Sequence, residues 1–150
     1  MADHAAYYDQ VAELYDAIVQ LDFDIPFFLE EAQHAGGQVL ELMSGSGRVS
    51  LRLIEAGIPL TCVDFSAGLL AILQRKLDAS GLCAELHHMG VRDLALGRAF
   101  DMIFIPFHSF PEVLDLEDEQ RVLRRVAEHL ADGGRFICTL HNPPVRLQAV

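Results

Sequence analysis

The run VLELMSGSGRVSLRLIEAG, residues 39–57, holds the residues most able to do chemistry. It carries Glu41 inside an apolar stretch, then Gly45-Ser46-Gly47, then a helix-like pattern. A carboxylate inside an apolar strand is costly unless it is paired, so a functional role outweighs a purely structural one. Glycines let a backbone approach a ligand closely, and a helix N-terminus offers free N–H groups to an anion. A dinucleotide's pyrophosphate or an amino acid's carboxylate would suit that turn. Asp64 closes a second apolar run, TCVD, where a carboxylate can take both hydroxyls of a ribose. His108 and His141 follow two further apolar runs and are candidate bases, because an imidazole titrates near neutrality. His87-His88 occupy adjacent strand positions, which face opposite sides and give no metal-ligand geometry.

These residues need a frame, and periodicity supplies one. Two N-terminal helices are expected over 4–20 and 24–35, the second entered through Pro26 and stopped by Gly36-Gly37. Strand 38–43, helix 47–56, strand 59–65, helix 67–79, strands 83–89 and 100–107, helix 117–131 and strand 135–141 follow. Gly57 and Gly81 follow two of the helices, and Asp132-Gly133-Gly134 is expected to end the last. In that last helix Val122, Leu123, Val126, Ala127 and Leu130 form the expected apolar face. TCVDF and DMIFIPF are continuous apolar runs, as in strands covered on both faces. Alternating strands and helices with short loops imply an α/β fold. The expected form is a doubly wound, mostly parallel, Rossmann-like sheet of about five strands, in the order 3-2-1-4-5. A single domain is expected over 1–150, with N-terminal helices to residue 35 and a sheet core over 38–141.

Composition narrows the partners. The formal charge is −11, and no Lys or Arg precedes Arg48. Such a surface repels phosphate backbones, so nucleic acid is not expected as a partner. No apolar run approaches the ~20 residues of a membrane span, and no basic, apolar leader opens the chain, so no membrane partner is expected either. The three cysteines, Cys62, Cys83 and Cys138, lack CxxC spacing and read as buried free thiols in a reducing cytoplasm.

The glycine turn can now be read more closely. A dinucleotide fingerprint wants a third glycine where this chain has Ser50, and Glu41 would set like charge near a pyrophosphate. A ligand with an ammonium, a carboxylate, a sulfonium and an adenosine ribose removes both objections. That describes S-adenosylmethionine.

YYDQVAELYD, VLELMSGSGR, VDFSAGLL, GVRDLALGRAFDMIFIPFHSF and VLRRVAEHLADGGRF together resemble class I S-adenosylmethionine-dependent methyltransferases. The nearest type is the small-molecule one whose first motif reads E-L-x-x-G-T-G-R. The resemblance implies that Gly45 and Gly47 pass close under the cofactor and that Glu41 lies near its methionine amino group. It implies that Asp64 binds the ribose, that Phe65 and Leu69 border the adenine, and that Val91 and Arg92 touch its edge. Tyr8 and Tyr15 match tyrosines that help close the pocket. It implies methyl transfer to a small-molecule acceptor. A cofactor-binding protein of the same fold without transferase activity is the alternative, and a nicotinamide-dependent oxidoreductase a more remote one.

The chain departs from the family's pattern in three places. Gly90 stands where the family has an acid contacting the adenine amino group, and Met43 replaces a small residue. The sequence also stops soon after the fifth strand, without the usual C-terminal antiparallel hairpin. A homodimer through the resulting sheet edge is expected on that ground.

Overall fold

The structure, a computed structural model, describes residues 2–140 except Gln20 and Leu114. His141 lies outside the described residues. Two helices open the chain, α1 (Ala2–Ile18) and α2 (Ile25–Ala35). Pro26 sits in the first turn of α2, where its missing N–H has no helical partner to lose, and Gly36 ends the helix at φ 67°. Then follow β1 (Val39–Leu42), α3 (Ser50–Glu55), β2 (Leu60–Asp64), α4 (Ala67–Ser80) and β3 (Glu85–His88). The chain continues through β4 (Phe100–Ile105), α5 (Leu116–His129) and β5 (Leu130–Cys138). Short 3-10 turns, Val91–Asp93 and Phe110–Glu112, follow β3 and β4.

All neighbouring strands pair in parallel, in the order β3-β2-β1-β4-β5. The expected doubly wound sheet is present. Every residue of β1 and β2 is buried, as strands covered on both faces must be.

Alternate residues of β1 serve two cores. Val39 joins Phe28 and Ala32 of α2, Leu53 of α3, and Leu73 and Leu77 of α4. Leu40 and Leu42 join Val122 and Val126 of α5. Thus α2, α3 and α4 cover one face and α5 the other, and the winding reverses between β1 and β4. A crevice forms beyond the strands' carboxyl ends at such a reversal. α1 lies outside these layers: Ala12 packs with Leu69 and Ile72 of α4, and Glu13–Arg75 and Asp16–Lys76 ion pairs flank the contact.

Three expectations need correcting. The last helix stops at His129, not 131, and Asp132-Gly133-Gly134 is a bulge inside β5. Leu130 already pairs with Phe100, and the register resumes with Arg135 opposite Met102. Gly133 has φ 77°, and a Cβ on Gly134 would come 2.9 Å from the Ala131 carbonyl oxygen. Helix stops and bulges both recruit glycine, so the local sequence does not separate them. Leu123, expected on the apolar face of α5, is 45% exposed. Cys83, expected to be buried, is exposed in the turn after α4, whereas Cys62 is fully buried.

Candidate functional site

Glu41 sits in the central strand, between Cys62 of β2 and Phe104 of β4, and is 1% exposed. Ser50, at the start of α3, donates its hydroxyl to Glu41 Oε2 at 2.5 Å. This serine occupies the place of the third glycine in a dinucleotide fingerprint, and its side chain pairs a buried acid. Burial pushes the Glu41 carboxyl up to about 8, against the opposing pull of the Ser50 hydroxyl and the Arg48 charge. The acid braces the underside of the glycine turn.

The turn itself runs through left-handed backbone at Met43 (φ 58°), Gly45 (φ 57°) and Gly47 (φ 84°). At Met43 this costs about 1 kcal/mol, because a side chain crowds the carbonyl in that region. Gly45 donates its N–H to Asp64 Oδ2 at 2.8 Å, and Ser66 donates its N–H to Oδ1 at 2.8 Å. Asp64 therefore ties the tip of β2 to the turn after β1. Burial raises its carboxyl pKa, while these N–H groups pull it back. Lys76 of α4 donates to the Ser46 carbonyl at 3.0 Å and fastens the turn's other side.

The two glycines answer to different constraints. A Cβ on Gly47 would lie 2.3 Å from Leu73 Cδ1, so α4 packs directly on this Cα. A Cβ on Gly45 would meet only Leu69 Cδ1, at 4.0 Å. Gly45 presents open backbone beside a buried carboxylate, which is what a nucleoside needs to lie flat across the turn.

Arg48, one residue past the turn, gathers several elements. It grips both oxygens of Asp24 at 2.5 and 2.7 Å, donates to the Leu21 carbonyl at 2.7 Å, and places its guanidinium 4.7 Å from the Phe107 ring centre. Phe107 and His108 are consecutive left-handed residues, at φ 57° and 60°, just beyond β4. Such backbone persists where surrounding contacts over-determine it. The His108 N–H reaches Thr139 Oγ1 at 3.4 Å, joining the ends of β4 and β5. His108 thus stands at the carboxyl edge of the sheet.

Tyr8 and Tyr15 of α1 are half-buried above this edge. Their rings meet edge-to-face at 5.8 Å, and Tyr8 meets Phe65 edge-to-face at 5.7 Å. The Tyr8 hydroxyl donates to Glu112 Oε1 at 3.0 Å. Burial and the Glu112 charge push the Tyr8 phenol well above its usual range, and the same two causes raise Tyr15. Leu69, in the first turn of α4, is buried against α1.

The structure therefore gathers Tyr8, Tyr15, Glu41, Gly45, Gly47, Asp64, Phe65 and Leu69 around the tips of β1 and β2. Val91 and Arg92 stand apart, beyond β3. Val91 packs into the core under α5, and the Arg92 guanidinium pairs with Asp118 of α5. Both residues are half-buried in the short 3-10 turn that follows β3. A separate hollow lined by Ala95, Gly97, Arg98, Glu128 and His129 opens near the amino ends of β4 and β5, away from these residues. Sequence reasoning missed Glu112 and assigned no role to Arg48. Glu112 is an exposed acid in a short segment, Phe110-Pro111-Glu112-Val113, that has no periodic signal, and Arg48 reads locally as one more helix-entry residue.

Comparison with known proteins agrees with this geometry. A family model described as "Methyltransferase domain" matches residues 39–134. A demethylmenaquinone methyltransferase of Thermus thermophilus is 35% identical over 117 residues, 75% of this chain and 50% of that one. The cypemycin N-terminal methyltransferase of a Streptomyces species is 29% identical over 148 residues, 95% of this chain and 59% of that one. An S-adenosylmethionine-dependent methyltransferase from Clostridium acetobutylicum aligns with a TM-score of 0.76 at 25% identity, over 90% of this chain and 58% of that one. The chain spans about half the length of the curated relatives it matches. With its glycine turn, strand-tip acid and 3-2-1-4-5 sheet, the chain belongs to the methyltransferase-domain family.

Proposed function

We propose that this protein binds S-adenosylmethionine across the β1 turn and transfers its methyl group to a small-molecule acceptor. The observation that carries the reading is the Gly45–Asp64 contact, which joins an open glycine backbone to a buried carboxylate on the β2 side of the point where the winding reverses. Bound there, S-adenosylmethionine supplies a methyl group on an already activated, positively charged sulfur. The protein's part is positioning and desolvation. Asp64 receives the ribose hydroxyls, Gly45 and Gly47 give the cofactor its floor, and Glu41 acts through the turn above it. Phe65 and Leu69 border the adenine, the loop of Val91 and Arg92 touches its edge, and Tyr8 and Tyr15 close the opening. If the acceptor must lose a proton, His108 or His141 takes it.

The wider reading is a single cytoplasmic domain over 1–150 that dimerises through the outer side of β5, the last strand of the sheet in the described residues. Its acidic surface argues against nucleic acid. No helix among the described residues is long and apolar enough to cross a membrane.

Cofactor binding without transfer is the second reading. It is favoured by Gly90, which leaves the adenine amino group without the acid that the resemblance implies. Calorimetry with S-adenosylhomocysteine and with NAD tests the cofactor: heat with NAD alone overturns the proposal. Turnover against a panel of acceptors, followed as S-adenosylhomocysteine release, separates the two readings. A protein that binds but never turns over supports the second.

A further inference from the structure

The position of Glu112 is explained neither by the core nor by the proposed cofactor contacts. It lies in the 3-10 turn after β4, on the far side of β1 from Asp64, and reaches across to Tyr8 of α1. Tyr8 in turn touches Phe65, the residue after Asp64. The Tyr8–Glu112 hydrogen bond therefore bridges the crevice, from its β2 side to its β4 side, above the tip of β1. The nucleoside half of the crevice is the β1–β2 side. The β4 side, where Glu112 stands, is left for the second reactant.

The charge around this bridge is one-sided. Glu112 is exposed and, among the described residues, makes no ion pair; its partner is a neutral phenol. The nearby cations are engaged elsewhere, Arg48 with Asp24 and Lys76 with Asp16. The charge of Glu112 is felt at Tyr8, Tyr15 and Asp64, so these groups share one corner of the site. An anionic oxygen fixed beside aromatic rings at the mouth of a crevice favours a cation and disfavours an anion.

We infer that Glu112, held by Tyr8, is the specificity-determining residue of the acceptor side, and that it selects an acceptor carrying an ammonium group. This rests on the methyltransferase reading above for its choice of side. The relatives do not decide the acceptor, since one is named for demethylmenaquinone and the other for the N-terminus of cypemycin.

Three probes sharing one ring test it: benzylammonium, benzyl alcohol and benzoate, titrated by NMR into the full chain with and without S-adenosylhomocysteine. Benzylammonium is expected to bind at least ~5-fold tighter than the alcohol, and benzoate weakest, as one charge-assisted contact implies. Glu112→Gln should erase the preference while leaving S-adenosylhomocysteine affinity unchanged. Tyr8→Phe, which frees the carboxylate, should reduce the preference without erasing it. Equal binding of the three probes overturns the inference, as does an ammonium preference that survives Glu112→Gln. If Glu112→Gln weakens S-adenosylmethionine but not S-adenosylhomocysteine, the carboxylate serves the sulfonium and the acceptor assignment falls. Failure of S-adenosylhomocysteine to bind the wild-type chain counts against the methyltransferase reading instead, and the ammonium preference is then judged on the unliganded protein.

Discussion

Asp64 Oδ2 accepts the Gly45 N–H at 2.8 Å, so the tip of β2 is tied to the turn after β1. Its other oxygen is held by the Ser66 N–H, at the entrance to α4. One carboxylate thus organises two loops.

Asp64→Ala is expected to weaken S-adenosylhomocysteine binding by ~10-fold or more, because charge-assisted hydrogen bonds to the ribose are lost. The melting temperature should fall too, since two backbone N–H groups lose their acceptor. Calorimetry and thermal melts check both. Unchanged affinity refutes the ribose assignment whatever happens to the melt.

Gly47→Ala should destabilise the fold by about 1–3 kcal/mol through overpacking, whereas Gly45→Ala should cost only the backbone term of about 1 kcal/mol. The difference lies in Leu73, which stands 2.3 Å from a Cβ at Gly47 and has no counterpart at Gly45. Leu73→Ala combined with Gly47→Ala should therefore cost less than the sum of the two. Urea midpoints of the four variants decide it. Additive losses would place the strain elsewhere.

Glu41→Gln should change how stability depends on pH. Burial holds the native Glu41 at about 8 against 4.5 when unfolded, so the native state binds its proton more tightly. The stability this group contributes is full below about pH 4.5 and is lost as pH rises through 8. The amide has no proton to lose, and its carbonyl oxygen can still accept the Ser50 hydroxyl. Relative to the variant, the unliganded wild type should lose at least about 1 kcal/mol between pH 5.5 and 8.5 in urea titrations. Parallel curves would show that Glu41 is ionised throughout.

Gly90→Asp should tighten cofactor binding. The backbone there is extended (φ −75°, ψ 143°), open to any side chain, and an added Cβ would meet only Asp93 Oδ2 at 3.9 Å. An acid restored beside the adenine amino group is worth about 1 kcal/mol, or ~5-fold in affinity. Titration with S-adenosylhomocysteine reads it out, and a weaker complex would mean that the segment after β3 does not meet the adenine.

The sequence by itself determined the fold class, because continuous apolar strands alternating with capped amphipathic helices admit few arrangements. It also marked Glu41, Gly45, Gly47 and Asp64, since a carboxylate in an apolar run and paired glycines at a strand tip are anomalies that local physics makes visible. The end of α5 was not legible: Asp132-Gly133-Gly134 suits a helix stop and a bulge equally, and only pairing with β4 chose the bulge. Tertiary structure alone decided what each marked residue touches. Ser50 binds a buried acid nine residues away, Gly47 yields to a leucine on α4, and Arg92 is drawn to Asp118 of α5. Glu112 meets Tyr8 across a sequence separation of 104 residues. Periodicity reports the face on which a residue lies, whereas contacts between distant segments depend on how the layers close.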